Sequence, residues 1–294
     1  MDRIILGDNQ FFGINHMSEE KGIATARKFQ DTSKIIETLD MAYECGIHAF
    51  TFSTHDRVHQ ICDHFRANPE KYADLRLYPV LPYAYKYAHS VNEKGIVGTI
   101  KDEIIARSTA GQVASLVARG GAVIVNQNPI EVMKILVDVE MRMFRDLNVR
   151  IIFLQNVVTD LLLGIGIKEV FSQFAAYVEQ KYEVRAGFMT RNMPRLVDFL
   201  LECGIECPVV CAAINKVGFQ MNPDVPSYEY TLENRHFDAL AMSIMAAGAV
   251  PPEEAIRYVM GLKNVKSVLF GASSKAHMEQ TKDLIDEYCQ EVCP

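Results

Sequence analysis

Excess positive charge is what this chain most plainly lacks. Lysine and arginine number 30 against 37 aspartates and glutamates, a formal net charge of −7 over 294 residues. Nucleic acid is held chiefly through cations, so nonspecific nucleic-acid binding is not expected as a function. Long hydrophobic runs are missing too, and none approaches the roughly 20 apolar residues of a membrane span. The opening Met1-Asp2-Arg3-Ile4-Ile5-Leu6 is too short for the apolar core of a signal peptide and ends at Gly7-Asp8. The cysteines number seven, an odd count that no paired disulfide framework uses up. They read as thiols of a cytoplasmic protein. Cys203, Cys207 and Cys211 are spaced by four, but they straddle a helix end and the next strand, so a zinc or cluster site is not expected. Cys289 and Cys293 fall in a C-terminal tail that reads as frayed.

Apolar residues are plentiful at 49%, enough for a large core. Short apolar runs alternate with longer helical patterns. The runs are Ile4–Leu6, Ala49–Ser53, Leu77–Leu81, Ile151–Leu154, Ala186–Met189, Val209–Ala213, Leu240–Ile244 and Val268–Phe270. Between them, Asp31-Thr32-Ser33 caps a helix closing at Cys45-Gly46, Pro194 opens one closing at Gly204, and Pro251-Pro252-Glu253-Glu254 starts another. Strand then helix, eight times over, predicts a single-domain (β/α)8 barrel with parallel strands. Residues 84–148 exceed what one crossover needs and read as a mainly helical insertion or lid between strands 3 and 4. Within it Lys101–Ala118 and Glu131–Phe144 have helical patterns, and Ala122–Val125 is a possible strand. In a competing arrangement that strand joins the barrel and displaces one of the eight.

In such a barrel the working residues stand at the C-terminal ends of the strands. Those ends carry Asp8, Asn9 and Gln10 with His16 just after; His55 and Asp56; Tyr83; Gln155 and Asn156; Arg191; Asn215 and Lys216; and Ser273 and Ser274. His55 titrates near neutrality and can pass a proton, with Asp8 placed to orient it. Tyr83 offers a phenol or packs as an aromatic. His55 and His59 at i and i+4 could share a metal with Asp8 or His16, but solvated or capping histidines are commoner and no metal is predicted. Arg191 suits a carboxylate or phosphate, or a surface ion pair. Lys216 is a Schiff-base amine or an ordinary loop lysine. Asp160 reads as the cap of a helix beginning at Leu161. The last strand runs through Gly271, Ala272, Ser273, Ser274 and Lys275 into a helix, an arrangement that suits a phosphate.

These motifs carry a resemblance. Leu6–Gly13, Glu44–Phe50, and Pro251–Ala255 together with Val268–Glu279 resemble the opening strand, the run before the catalytic aspartate, and the closing G-A-S-S turn of the aldo-keto reductase superfamily. The resemblance implies a barrel, NADPH held at Gly271–Lys275, and hydride exchange with a small carbonyl or hydroxyl metabolite. It also exposes departures. The family's catalytic Asp, Tyr, Lys and His are matched by Thr51, by Asp56 beside His55, by no lysine (Lys86 comes several residues late), and by Gln155 or Asn156. Residues that grip the nicotinamide amide are matched by Met189-Thr190 and Ala212, and the usual phosphate-binding arginine by His277. Three readings stay open: a reductase with His55 or Tyr83 as substitute proton donor; a cofactor-independent or metal-assisted lyase, isomerase or epimerase; and a non-catalytic barrel.

Overall fold

The structure is a computed structural model that describes residues 1–13, 19–83 and 129–292. Eight strands form it: β1 Ile4–Leu6, β2 Ala49–Ser53, β3 Arg76–Leu81, β4 Ile151–Leu154, β5 Arg185–Thr190, β6 Val209–Ala213, β7 Asp238–Met242 and β8 Val265–Phe270. Each pairs in parallel with the next, and β1 pairs with β8 through Ile4–Val268 and Leu6–Phe270, so the sheet closes in sequence order. The apolar runs all become barrel strands. Only β7 is displaced, by two residues at each end of the expected Leu240–Ile244. The competing arrangement is overturned: β3 pairs directly with β4, Val80 opposite Phe153, which leaves no gap for Ala122–Val125. That segment and Lys101–Ala118 lie outside the described residues.

Alternation along each strand divides the core. Ile5, Ala49, Tyr78, Val80, Ile151, Phe153, Val209, Cys211, Leu240 and Leu269 pack together inside the barrel. Their neighbours face the helices and join the larger outer core. Gly187 on β5 makes room for the Phe153 ring, because a Cβ there would overlap it. Gly187→Ala is therefore expected to cost about 1–3 kcal/mol of unfolding free energy. Denaturant titration checks this, and an unchanged midpoint would contradict the packing.

Among the described residues the helices are α1 Glu19–Lys28, α2 Thr32–Glu44, α3 Val58–Ala67, α4 Pro129–Met141, α5 Asn156–Ile165, α6 Lys168–Tyr182, α7 Met193–Glu202, α8 Val225–Asn234, α9 Pro252–Met260 and α10 Lys275–Val292. Their ends follow the sequence signals. Asp31 caps α2 by accepting from the Ser33 N–H, and Asn192 caps α7, where proline occupies the first turn. Two expectations are corrected. Asp160 does not cap a helix starting at Leu161; α5 already begins at Asn156, and the Asp160 carboxylate reaches sideways to β5. Cys289 is not in a frayed tail but inside α10. Cys211 is sealed in the barrel, where burial raises its thiol pKa, and Cys203 lies at the end of α7. Among the described residues no helix is long and apolar enough to cross a membrane.

Candidate active site

The first three strands end in a linked group. Asp8 follows β1 and is buried, and its Oδ2 accepts the Ser53 N–H at 2.7 Å from the end of β2. Burial pushes its carboxyl pKa up from 3.8 to about 6, partly offset by that backbone hydrogen bond. Two residues past Ser53, the His55 ring stacks on Phe12, centroids 4.3 Å apart and planes 19° apart. The Tyr83 ring, just past β3, lies 6.0 Å away. The Asp8 carboxylate thus holds the strand end that leads into His55. The Arg57 backbone N–H donates to His55 Nδ1 at 3.2 Å. The Arg57 guanidinium donates to the carbonyls of Phe11 and Phe29 and lies over the Phe12 ring, so the ring beneath His55 is itself pinned. With Nδ1 accepting, the neutral ring carries its proton on Nε2.

Glu140 joins the group, and the sequence reading did not select it. It is fully buried near the end of α4. Its Oε2 accepts the Thr54 hydroxyl and, at 3.1 Å, the Tyr83 N–H. The sequence singles it out poorly, because Glu140 is one of three charged residues, with Asp138 and Arg142, in the helical run Ile135 to Met143. Thr51, which matches the family's aspartate, faces the barrel interior and donates to the Tyr78 carbonyl at 2.6 Å, a structural bond.

On the other side of β1 stands the closing turn. Gln10 Nε2 donates to the carbonyls of Gly7 at 2.7 Å and Ala272 at 3.4 Å, tying the β1 end to the β8 end. Those two acceptors fix which end of the amide is oxygen. Gln10 Oε1 is buried without a donor and lies 2.6 Å from where a Gly271 Cβ would stand. Ser274 Oγ accepts the His277 N–H at 3.4 Å, capping α10. Lys275 pairs with Glu279 at 3.7 Å. A further cation arrives from α1, where Lys28 Nζ donates to the Ser273 carbonyl at 3.2 Å.

The remaining candidates divide. Gln155 is buried at the end of β4, its N–H donating to the Leu81 carbonyl, and Asn156 opens α5 beside it. The Arg191 backbone is held by Asp160, Asn222 and Tyr228, while its side chain is exposed and makes no ion pair among the described residues. Two candidates are committed elsewhere. The fully buried Asn215 uses its amide on Phe219 and Ser243, which braces its own loop. Lys216 forms an exposed ion pair with Glu254 at 2.6 Å. Asn9 and Asp56 are exposed. His59 pairs with Asp63 at 2.9 Å, away from His55. His16 and Lys86 lie outside the described residues. Among the described residues no group of three His, Cys, Asp or Glu side chains could hold a metal.

No protein-family model matches the sequence, and no curated protein does. Solved structures match along nearly the whole chain. A Pseudomonas aeruginosa protein assigned as an aldo-keto reductase aligns with TM-score 0.59 at 12% identity, covering 98% of this chain and 90% of its own. One assigned as a 2,5-diketo-D-gluconic acid reductase B aligns with TM-score 0.57 at 13% identity, covering 98% and 85%. An aldo-keto reductase of the silkworm Bombyx mori gives 0.55 at 10%, covering 98% and 83%. Identities this low establish shape rather than chemistry. The chain has the barrel fold of the aldo-keto reductases.

Proposed function

We propose that this barrel is an aldo-keto-reductase-like oxidoreductase, exchanging hydride between NADPH and a small carbonyl or hydroxyl metabolite, with His55 and Tyr83 in place of the missing tyrosine and lysine. The observation that carries the proposal is the state of His55. It stacks on Phe12, has the Tyr83 ring 6.0 Å away at the next strand end, and accepts the Arg57 N–H at Nδ1, which in the neutral imidazole leaves the proton to Nε2. A neutral imidazole N–H can polarise a carbonyl oxygen, as a fixed donor aimed at developing negative charge. The Tyr83 phenol stands next to it as the proton source for that oxygen.

The residues fit the cofactor's charged end. Gly271 presents bare backbone, the first N–H groups of α10 lie beyond it, and Lys28 and Lys275 flank the turn with two ammonium groups. The buried, donorless Gln10 Oε1 beside Gly271 suits a sugar hydroxyl, since an orphaned buried acceptor costs about 1–3 kcal/mol. At the nicotinamide end the Thr190 hydroxyl is engaged by Asp160, so the carboxamide falls to Gln155 and Asn156. When bound, NADPH supplies a hydride to the carbonyl carbon.

Binding tests this directly. The intrinsic fluorescence of NADPH, titrated with protein, is expected to report a dissociation constant between about 1 μM and 1 mM, tighter than for NADH because of Lys28 and Lys275. Absence of binding across that range removes the proposal. A second reading, a lyase, isomerase or epimerase, draws support from Asp8: a buried carboxylate with a pKa near 6 is a serviceable base beside a carbonyl. A metabolite that raises the melting temperature without NADPH would favour it.

A further inference from the structure

We propose that Glu140 is a positioning residue of this site: one oxygen of its buried carboxylate sets the spacing between the His55 loop and Tyr83. The proposal rests on the reductase reading. It starts from the cost of the group. A carboxylate with no solvent exposure costs several kcal/mol unless its lone pairs are satisfied, and apolar residues of similar size often replace such groups without loss. Helix α4 is already anchored without it. Two residues earlier, Asp138 accepts from Tyr177, Tyr182 and Lys181 of α6 on the outer side. Two residues on a helix turn about 200°, so Glu140 is delivered to the opposite side, toward the barrel.

There a single oxygen, Oε2, takes two donors from two different strand ends. Thr54 precedes His55 after β2, and Tyr83 follows β3. Both are adjacent to, or part of, the pair assigned to the chemistry. Thr54 is itself fully buried, so its hydroxyl cannot turn to water instead. Registry β2–β3 pairing stops at Ser53 opposite Val80, short of both residues. Beyond that point the shared oxygen, together with the ring contact between His55 and Tyr83, ties the two strand ends to each other. A misplacement of about 1 Å at reacting groups costs on the order of 100-fold in rate.

Four variants test it, each measured three ways: turnover of 4-nitrobenzaldehyde with NADPH, the NADPH dissociation constant, and hydrogen exchange of the Tyr83 amide in the ligand-free protein. Glu140→Ala and Thr54→Val are expected to lower kcat on the order of 10- to 100-fold and to leave NADPH affinity unchanged. Glu140→Ala should also strip the protection of the Tyr83 amide. Glu140→Gln and Thr54→Ser, which keep an acceptor or a hydroxyl in place, should restore most of kcat. Unchanged kcat in folded Thr54→Val overturns the proposal, and so does a Glu140→Gln variant as impaired as Glu140→Ala. If Glu140→Ala does not fold, the two Thr54 variants decide. If the wild-type protein neither binds NADPH nor reduces the aldehyde, the reductase reading fails alone and the amide arm decides for Glu140. Protection kept in the Gln variant and lost in the Ala variant supports positioning, and equal protection in both overturns it.

Discussion

Replacing His55 by asparagine should lower kcat for NADPH-dependent carbonyl reduction by about 10²–10⁴-fold, the range expected for one acid–base group. Asparagine separates two roles. Its side-chain oxygen can take the place of Nδ1 and still accept the Arg57 N–H, so the turn into α3 keeps its bond. What disappears is the Nε2–H and the ring stacked on Phe12. Loss of the stack costs about 0.5–1.5 kcal/mol of stability and should register only as a small fall in melting temperature. The cofactor's charged end is assigned to Lys28, Gly271 and Lys275, on the far side of β1, so NADPH affinity should hold. A fall in kcat with constant cofactor affinity marks an interaction made in the transition state. Wild-type kcat in the variant would place the chemistry elsewhere in the mouth.

The barrel was legible because its signals are local. A strand buried on both faces is a short apolar run, and each helix announces its ends through caps such as Asp31 and Asn192. The candidate site was legible only as far as strand ends locate it. That rule selected Asp8, His55 and Tyr83, which the fold gathers, and equally Asn215 and Lys216, which spend their polar groups within their loop and on α9. Composition at a strand end does not reveal whether an amide faces a ligand or its own loop. Glu140 shows the converse limit. Its partners lie 86 and 57 residues away, and nothing within α4 marks the direction its carboxylate takes. Lys28 reaches the β8 turn across 245 residues for the same reason. Asp160 was misread because an acid before an apolar run resembles a cap; its true partner, Thr190, is on the next strand.

Asp8→Asn is expected to stabilise the protein at neutral pH while impairing whatever reaction the mouth performs. The sign follows from burial. The carboxyl pKa is pushed up from 3.8 to about 6, so the folded state holds the proton more tightly than the unfolded chain does. Between those two values folding binds protons, and stability falls as pH rises. The favourable contribution is complete below about 3.8 and gone above about 6, a swing on the order of 3 kcal/mol. Asparagine mimics the protonated acid, keeps an oxygen for the Ser53 N–H, and never ionises. At pH 8 the variant should therefore melt several degrees above wild type, and at pH 4 the two should coincide. A chain that keeps a carboxylate where an amide would be more stable is exchanging stability for charge at the mouth, the usual direction of compromise at a working site. Superimposable pH–stability curves for variant and wild type would show that Asp8 ionises there without penalty. The case for a base poised near neutrality at the end of β1 would then collapse, and the second functional reading with it.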